Sequence, residues 1–382
     1  MDKILYIGKF VPNQGAAGIH VFNIAESLKE QGVQVCYMAY KDSGSQVIED
    51  RIYDSSITSQ LFKTLIKLFD ICTGLYEFRM FKYVVSIEHP NVVVLYNETN
   101  AITKRIISYC KENRIKVFIE NTEWYTLTPL WFGLANFLFT RSVDKRIRVT
   151  DRLSDGVIAI SSYLEEFYRK SQTRVFNLPP LFSFDVNRVS TKLEYDKIRF
   201  VYAGSPGGKD ILKPFVNSIS KLVSNKDINA EFHIYGINKQ QLAKILGCHE
   251  DAGNVPGVYA HGRVSHNDVI EAVASSHYTI LLRYPARYAK AGYSTKVAES
   301  LTLGTPVICN KIGGTDSEIT DGKTGFIISD CEEETLVSVI KKVCALPQDI
   351  YNTMRKNSIE FANVRYSPET HKNNLYNFIF GR

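Results

Sequence analysis

The chain has 382 residues, 45% of them hydrophobic and 23% charged. That length exceeds the roughly 250–300 residues that one core usually organises, so two domains are expected, and the composition excludes wholesale disorder. The net charge of +6 is mild, and the seven cysteines are dispersed without a CxxC pair, which argues against a disulfide framework or a structural zinc site.

No apolar run reaches the roughly 20 residues of a spanning helix, and residues 1–8 are too short for a signal peptide, so a cytoplasmic location is expected. Without a Lys/Arg tract or an RNA-binding signature, no nucleic-acid partner is expected.

In chain order, residues 4–7 read as a buried strand. Residues 19–30 place Ile19, Phe22, Ile24 or Ala25, and Leu28 on one helical face. Strands follow at 33–37, 92–96, 116–120 and 156–160, with a helix around 102–110. Continuous Val/Ile runs separated by helices predict a parallel sheet covered on both faces. Residues 177–194 break this pattern and read as an interdomain linker. The second half repeats it, with strands at 198–203, 231–235, 278–282 and 305–309. The strand at 278–282 leads into a long polar loop, and Gly304 closes the helix before 305–309. Ser367 and Pro368 suit the start of a final helix through Phe380. The expected fold class is α/β, two doubly wound Rossmann-like domains, with ligands at the carboxyl ends of the strands and in the cleft between the domains.

Three loops carry candidate chemistry. Gly15 and Gly18 open the first helix, where small residues admit a ligand or simply permit a tight turn. The loop Gly204-Ser205-Pro206-Gly207-Gly208-Lys209 precedes a helix carrying Ile211, Leu212 and Phe215. A lysine at a helix start suits a phosphate, and a solvated turn lysine is the equal alternative. In the third loop Gly292-Tyr293-Ser294-Thr295 opens a helix, and Glu299 follows Thr295 by four residues on the same face. A diphosphate at the helix start and a ribose at the carboxylate fit that spacing.

The stretch from Lys296 to Ile308, with its Gly-Thr-Pro-Val-Ile run, then Gly313-Gly314, Glu318-Ile319 and Asp321-Gly322-Lys323-Thr324-Gly325-Phe326, resembles the donor-domain signature of family-4 retaining glycosyltransferases of the GT-B fold. Supporting stretches are the Gly15-to-Gly18 loop and His261-Gly262-Arg263. The resemblance implies an acceptor-binding domain over residues 1–185, a donor-binding domain over 186–365, and a final helix over 366–382 that packs back on the first domain. It implies that Glu299 is the second Glu of the Glu-x7-Glu motif and holds the ribose, and that Lys209 steadies the diphosphate. Gly204, Ser205, Arg263 and the segment from Gly292 to Thr295 would line the donor site. Gly15, Gly18 and Glu120 would lie on the acceptor and sugar side.

The sequence departs from the pattern at Ala291, where the first motif Glu is expected, at Ser205, where a basic residue is common, and around Glu120 and Glu123, where many relatives carry a His. Arg283, Arg287 and Lys290 read as ordinary loop residues or as sources of positive charge near the leaving diphosphate. The implied reaction is a retaining, metal-independent transfer from a UDP-sugar to a glycan or lipid-linked acceptor in surface polysaccharide synthesis, with no cofactor. A helical apolar stretch at 61–69 and the basic residues Arg141, Lys145, Arg146, Arg148 and Arg152 each read alone as an ordinary core helix and a solvated charged helix, and together with the resemblance they suggest contact with an anionic membrane. The competing expectations are a non-catalytic subunit of a polysaccharide assembly complex and, less fitting, a GT-B epimerase or phosphorylase.

Overall fold

A computed structural model describes residues 1–41, 50–56, 63–182, 193, 195–247, 255–312 and 315–381. Leu61, Phe62, Gly313 and Gly314 lie outside the described residues, as does most of the expected linker. The chain forms two compact units. One comprises Met1–Leu181, Lys290–Tyr293 and Pro368–Arg382, and the other Phe182–Ala289 and Ser294–Ser367.

The first unit is built on a seven-stranded parallel sheet. Its strands are β1 (Lys3–Gly8), β2 (Gln34–Ala39), β3 (Ile52–Asp54), β4 (Val92–Tyr96), β5 (Lys116–Asn121), β6 (Gly156–Ala159) and β7 (Val175–Asn177), in the order β3-β2-β1-β4-β5-β6-β7. Its helices are α1 (Gly15–Lys29), α2 (Lys63–Thr73), α3 (Leu75–Glu88), α4 (Asn100–Glu112), α5 (Leu134–Lys145) and α6 (Ser162–Lys170). Alternation along each strand feeds two cores. Leu5 and Ile7 point to the face covered by Phe81, Ile102 and Ile106, whereas Ile4 and Tyr6 meet Val21, Ile24 and Leu28 of α1. The linker expected from Asn177 begins one residue inside β7, and the change of unit falls between Leu181 and Phe182.

The second unit holds a six-stranded parallel sheet of β8 (Ile198–Ala203), β9 (Ala230–Tyr235), β10 (Val258–Gly262), β11 (Tyr278–Leu281), β12 (Val307–Asn310) and β13 (Gly325–Ile328). Its order is β10-β9-β8-β11-β12-β13. The helices are α7 (Lys213–Ser224), α8 (Lys239–Leu246), α9 (His266–Ala274), α10 (Arg287–Ala291, its last two residues counted with the first unit), α11 (Thr295–Thr302), α12 (Glu333–Cys344) and α13 (Gln348–Arg365). The long polar loop expected after β11 thus contains α10. Phe200, Phe215, Phe232 and Tyr278 anchor the main core. Capping boxes, Asn238 with Gln241 and Ser265 with Asp268, start α8 and α9 by satisfying amides that the helix leaves unpaired.

The signature residues after α11 are structural. Thr305 donates to the Val273 carbonyl at 2.8 Å, and Glu318 takes a two-pronged bond from Arg365 at 2.8 and 3.0 Å. Gly325 pairs with Val307 so closely that a Cβ would fall 2.0 Å from the Val307 carbonyl oxygen.

The last helix, α14 (Pro368–Phe380), belongs to the first unit. Leu375 and Ile379 enter the core that α1 covers, and the Phe378 ring stacks on Phe176 at 5.4 Å. Arg174 and Lys116 donate to the carbonyls of Phe378 and Phe380, satisfying the end of the helix.

Candidate functional site

In the second unit the strand order reverses between β8 and β11, which opens a crevice at their carboxyl ends. β8 runs out into Gly204, whose φ is +139° and where a Cβ would sit 2.5 Å from Cε of Lys296. The loop after Gly204 folds back onto the end of β11. Ile211 N donates to the Leu282 carbonyl at 2.7 Å, and Asp210 bridges to Arg283. Arg283 is itself pinned to Asn310 by reciprocal bonds of 2.8 Å.

Asp210 is the centre of this corner. Its buried carboxylate accepts from Tyr202 Oη at 2.7 Å, Arg283 Nε at 2.7 Å and Lys296 Nζ at 2.8 Å. Burial alone would raise its pKa, but Lys296 and then Arg283 outweigh that and hold it below the ordinary carboxylate range. One carboxylate facing two cations leaves a net positive charge at the crevice.

Lys296 stands in the first turn of α11, whose N-cap is Ser294. The Ser294 side chain is buried, makes no capping bond, and its Oγ has no hydrogen-bond partner among the described residues. The amides of Thr295 and Lys296 precede the first intrahelical bond and carry the positive end of the helix dipole. Glu299 lies one turn further along. Burial pushes its carboxyl up to about 7, with Lys296 opposing part of the shift.

The sequence-predicted residues divide around this corner. Gly204, Ser294, Thr295 and Glu299 lie at it. Lys209 is exposed in the loop four residues before α7, so the expectation of a lysine at a helix start is corrected: Ile211 and Leu212 also precede that helix. Ser205 and Arg263 are exposed, the latter just beyond β10. Gly292 and Tyr293 are counted with the first unit. So is Ala291, which is fully buried there and accepts from Ser161 Oγ at 2.7 Å through its carbonyl. The position that lacks the motif carboxylate is thus an interior packing position.

In the first unit Glu120 does not face an open site. It is buried, bonded to Tyr6 Oη and His20 Nε2, and its expected sugar-facing role is corrected on that ground. Gly18 lies where a Cβ would meet the Val11 carbonyl oxygen at 1.8 Å, so close backbone approach explains it. Gly15 opens α1 with a φ of +61°. Arg146 is also buried, paired with Asp151 at 3.3 Å, and does not contribute to a basic surface.

Sequence reasoning missed Lys296 and Asp210 as a pair. They are 86 residues apart, and only the return of the loop onto β11 joins them. It also missed a cluster where the first sheet reverses order. There Lys9 contacts Glu77 at 3.0 Å and Glu98 at 3.7 Å. Burial, then Glu77, pushes the Glu98 carboxyl up to about 7 against the pull of Lys9.

Residues 183–361 match the family profile described as glycosyl transferases group 1. Solved structures align over essentially the whole chain. HepE of Anabaena, in complex with UDP and glucose, shares 14% identity at a TM-score of 0.67, with 100% of both chains covered. Sucrose-phosphate synthase of Thermosynechococcus elongatus shares 15% at 0.68, again with both chains fully covered. WaaG, a glycosyltransferase involved in lipopolysaccharide biosynthesis, shares 13% at 0.69, covering 99% of this chain and 100% of that one. No curated protein matches the sequence.

The architecture is that of the GT-B class, two Rossmann-like α/β domains. The second domain carries the match to the group 1 glycosyl transferases.

Proposed function

We propose that the protein transfers a sugar, with retention of anomeric configuration, from a UDP-sugar to a glycan or lipid-linked oligosaccharide in surface polysaccharide synthesis, working peripherally at the cytoplasmic face of a membrane. One observation carries the donor half of this reading. The carboxylate of Asp210 holds Lys296 and Arg283 beside an α11 N-terminus whose Ser294 hydroxyl has no partner among the described residues. That corner offers two cations, free amides and a hydroxyl to a diphosphate, and Glu299 one turn on to a ribose. The structure of HepE with UDP and glucose and the role of WaaG in lipopolysaccharide biosynthesis are consistent with the donor and acceptor classes.

In this reading the bond from the sugar's anomeric carbon to the diphosphate oxygen breaks as the acceptor oxygen bonds to that carbon from the same face. The acceptor's proton passes to the leaving phosphate oxygen, so no protein nucleophile and no metal take part. Negative charge growing on the diphosphate is met by Lys296, Arg283 and the α11 amides, which are already oriented and need no rearrangement. Lys209, on the exposed loop, adds a further charge. The ionised Glu299 accepts hydrogen bonds from ribose hydroxyls.

The test is calorimetry and thermal shift with UDP, GDP, ADP and their sugar conjugates. A ligand at 100 times its dissociation constant adds about 2.7 kcal/mol of stability. Stabilisation of the wild type by UDP compounds and not of Glu299→Ala supports the reading. The absence of any nucleotide binding overturns it in favour of a non-catalytic subunit.

A further inference from the structure

From Tyr125 to Thr140 the sequence carries no charged side chain. In a folded protein such a run is normally interior, yet here its middle is outside. Leu130–Phe132 form a single helical turn between Pro129 and Gly133, and α5 starts immediately after. Residues 130–136 are exposed without interruption, with Trp131 at 83%, Phe132 at 65%, Leu130 at 53% and Leu134 at 52%. Four large apolar side chains on one short turn exceed the scattered apolar exposure normal for a soluble surface.

Two further features say what covers this tip. The first is its backbone. The carbonyls of Pro129, Leu130 and Gly133 accept from the Phe132, Gly133 and Phe137 amides at 3.1, 2.9 and 3.0 Å, and the Phe132 carbonyl accepts from Asn136 Nδ2 at 3.2 Å. These bonds engage four of the turn's carbonyls, which lowers the cost of taking it out of water. The second is charge. Arg141 donates to the Thr128 carbonyl at 3.0 Å and lies 3.6 Å over the Phe137 ring, which fixes a cation at the root of the tip. Lys145, Arg148 and Arg152 follow, exposed, and Asp144 is the one acidic residue among them that is not buried. α2 packs on α5 and exposes Leu65 and Phe69 around Lys67. Apolar and aromatic side chains at a self-bonded turn, backed by cations, complement the boundary between acyl chains and anionic headgroups.

We infer that the Leu130–Phe132 turn with Leu134 is a membrane-inserting wedge that seats the first unit on an anionic bilayer, with Arg141, Lys145 and Arg152 at headgroup level. This deepens the membrane part of the proposed function by assigning its surface, which is neither the 61–69 stretch alone nor Arg146.

The test uses the full chain with phosphatidylcholine vesicles, with and without phosphatidylglycerol. The chain has two tryptophans, and Trp124 is already buried, so a change in emission on binding reports Trp131. The expected result is sedimentation with the phosphatidylglycerol vesicles, weakened by salt, with a blue shift and quenching by brominated acyl chains. Trp131→Ser/Phe132→Ser should weaken binding by about tenfold or more, and Lys145→Gln/Arg152→Gln should remove much of the salt dependence. Both double variants change exposed side chains, so their thermal shift with UDP should equal that of the wild type. Loss of vesicle binding with that shift retained separates this inference from the donor reading. No sedimentation at low salt, binding indifferent to the Trp131/Phe132 change, or a concentration-dependent dimer that the change abolishes would each overturn the wedge, the last by assigning the surface to a second copy of the chain.

Discussion

Asp210 sets the charge of the corner between β8 and α11 by orienting two cations that would otherwise be free to leave it. Lys296→Ala should therefore lower kcat/KM for transfer by roughly 10- to 100-fold, the range for losing one charge-assisted contact. Arg283 keeps Asp210 paired, so the melting temperature should change little. Lys209→Ala, on an exposed loop, should lower kcat less than Lys296→Ala does at saturating donor. The reverse ranking would return the main role to Lys209.

Glu299 gives a signed pH prediction. Its carboxyl titrates near 7 in the folded protein and about 4.5 in the unfolded chain. The folded state thus holds a proton that the unfolded state has released. The resulting stability is fully present below pH 4.5 and is lost as pH rises through 7. Glu299→Gln should be more stable than the wild type at pH 8, by roughly 1–3 kcal/mol, and nearly equal to it at pH 4.5. Urea titration at the two pH values measures this. UDP-sugar affinity should rise several-fold from pH 6 to 8 in the wild type and stay flat in Glu299→Gln. Glu299 was legible in the sequence because helical spacing alone places it one turn from Thr295. The Asp210–Lys296 pair was not, because no local pattern reports a contact between a loop and a helix 86 residues later. Glu120 misled for the same reason, since its partners Tyr6 and His20 come from β1 and α1.

Among the elements, burial explains much of what was legible. β4 reads as Val-Val-Val-Leu because both its faces are covered, and its expected and observed bounds coincide at residues 92–96. β3, β7, β10 and β13 went unread, β13 although it is mostly buried, because its four residues follow directly on a Gly-rich turn. Burial accounts for β3 and β7. Each is three residues long and none of their residues is fully buried, so neither carries the apolar run that marks a central strand. The exposed turn before α5 was unread for the opposite reason, since its composition is that of a core. Gly18 belongs to this scale too. Its contact with Val11 leaves no room for a methyl group, so Gly18→Ala should destabilise α1 and its loop by more than about 1 kcal/mol in chemical denaturation. Any lost activity should then track lost fold, which a binding role for Gly18 would not predict.

For the whole molecule, the decisive feature is that the first unit is assembled from three separated stretches of chain. The alternation of strands and helices announced two α/β domains, but no composition signal marks Lys290–Tyr293 as part of the first. Removing residues 368–382 should expose the core lined by Leu375 and Ile379 and lower the melting temperature of the first unit. A synthetic peptide of those residues should restore it, which differential scanning calorimetry of the truncated chain would show.

The same arrangement reverses the timetable of biosynthesis. The strands of the first unit leave the ribosome early, yet the helix that covers Ile4, Tyr6 and Phe118 emerges only after all of Ser294–Ser367. At roughly 5–20 residues per second, that wait lasts on the order of ten seconds or more. The second domain to be made is the first able to finish, and the nascent first domain must be kept from aggregating until its missing helix arrives.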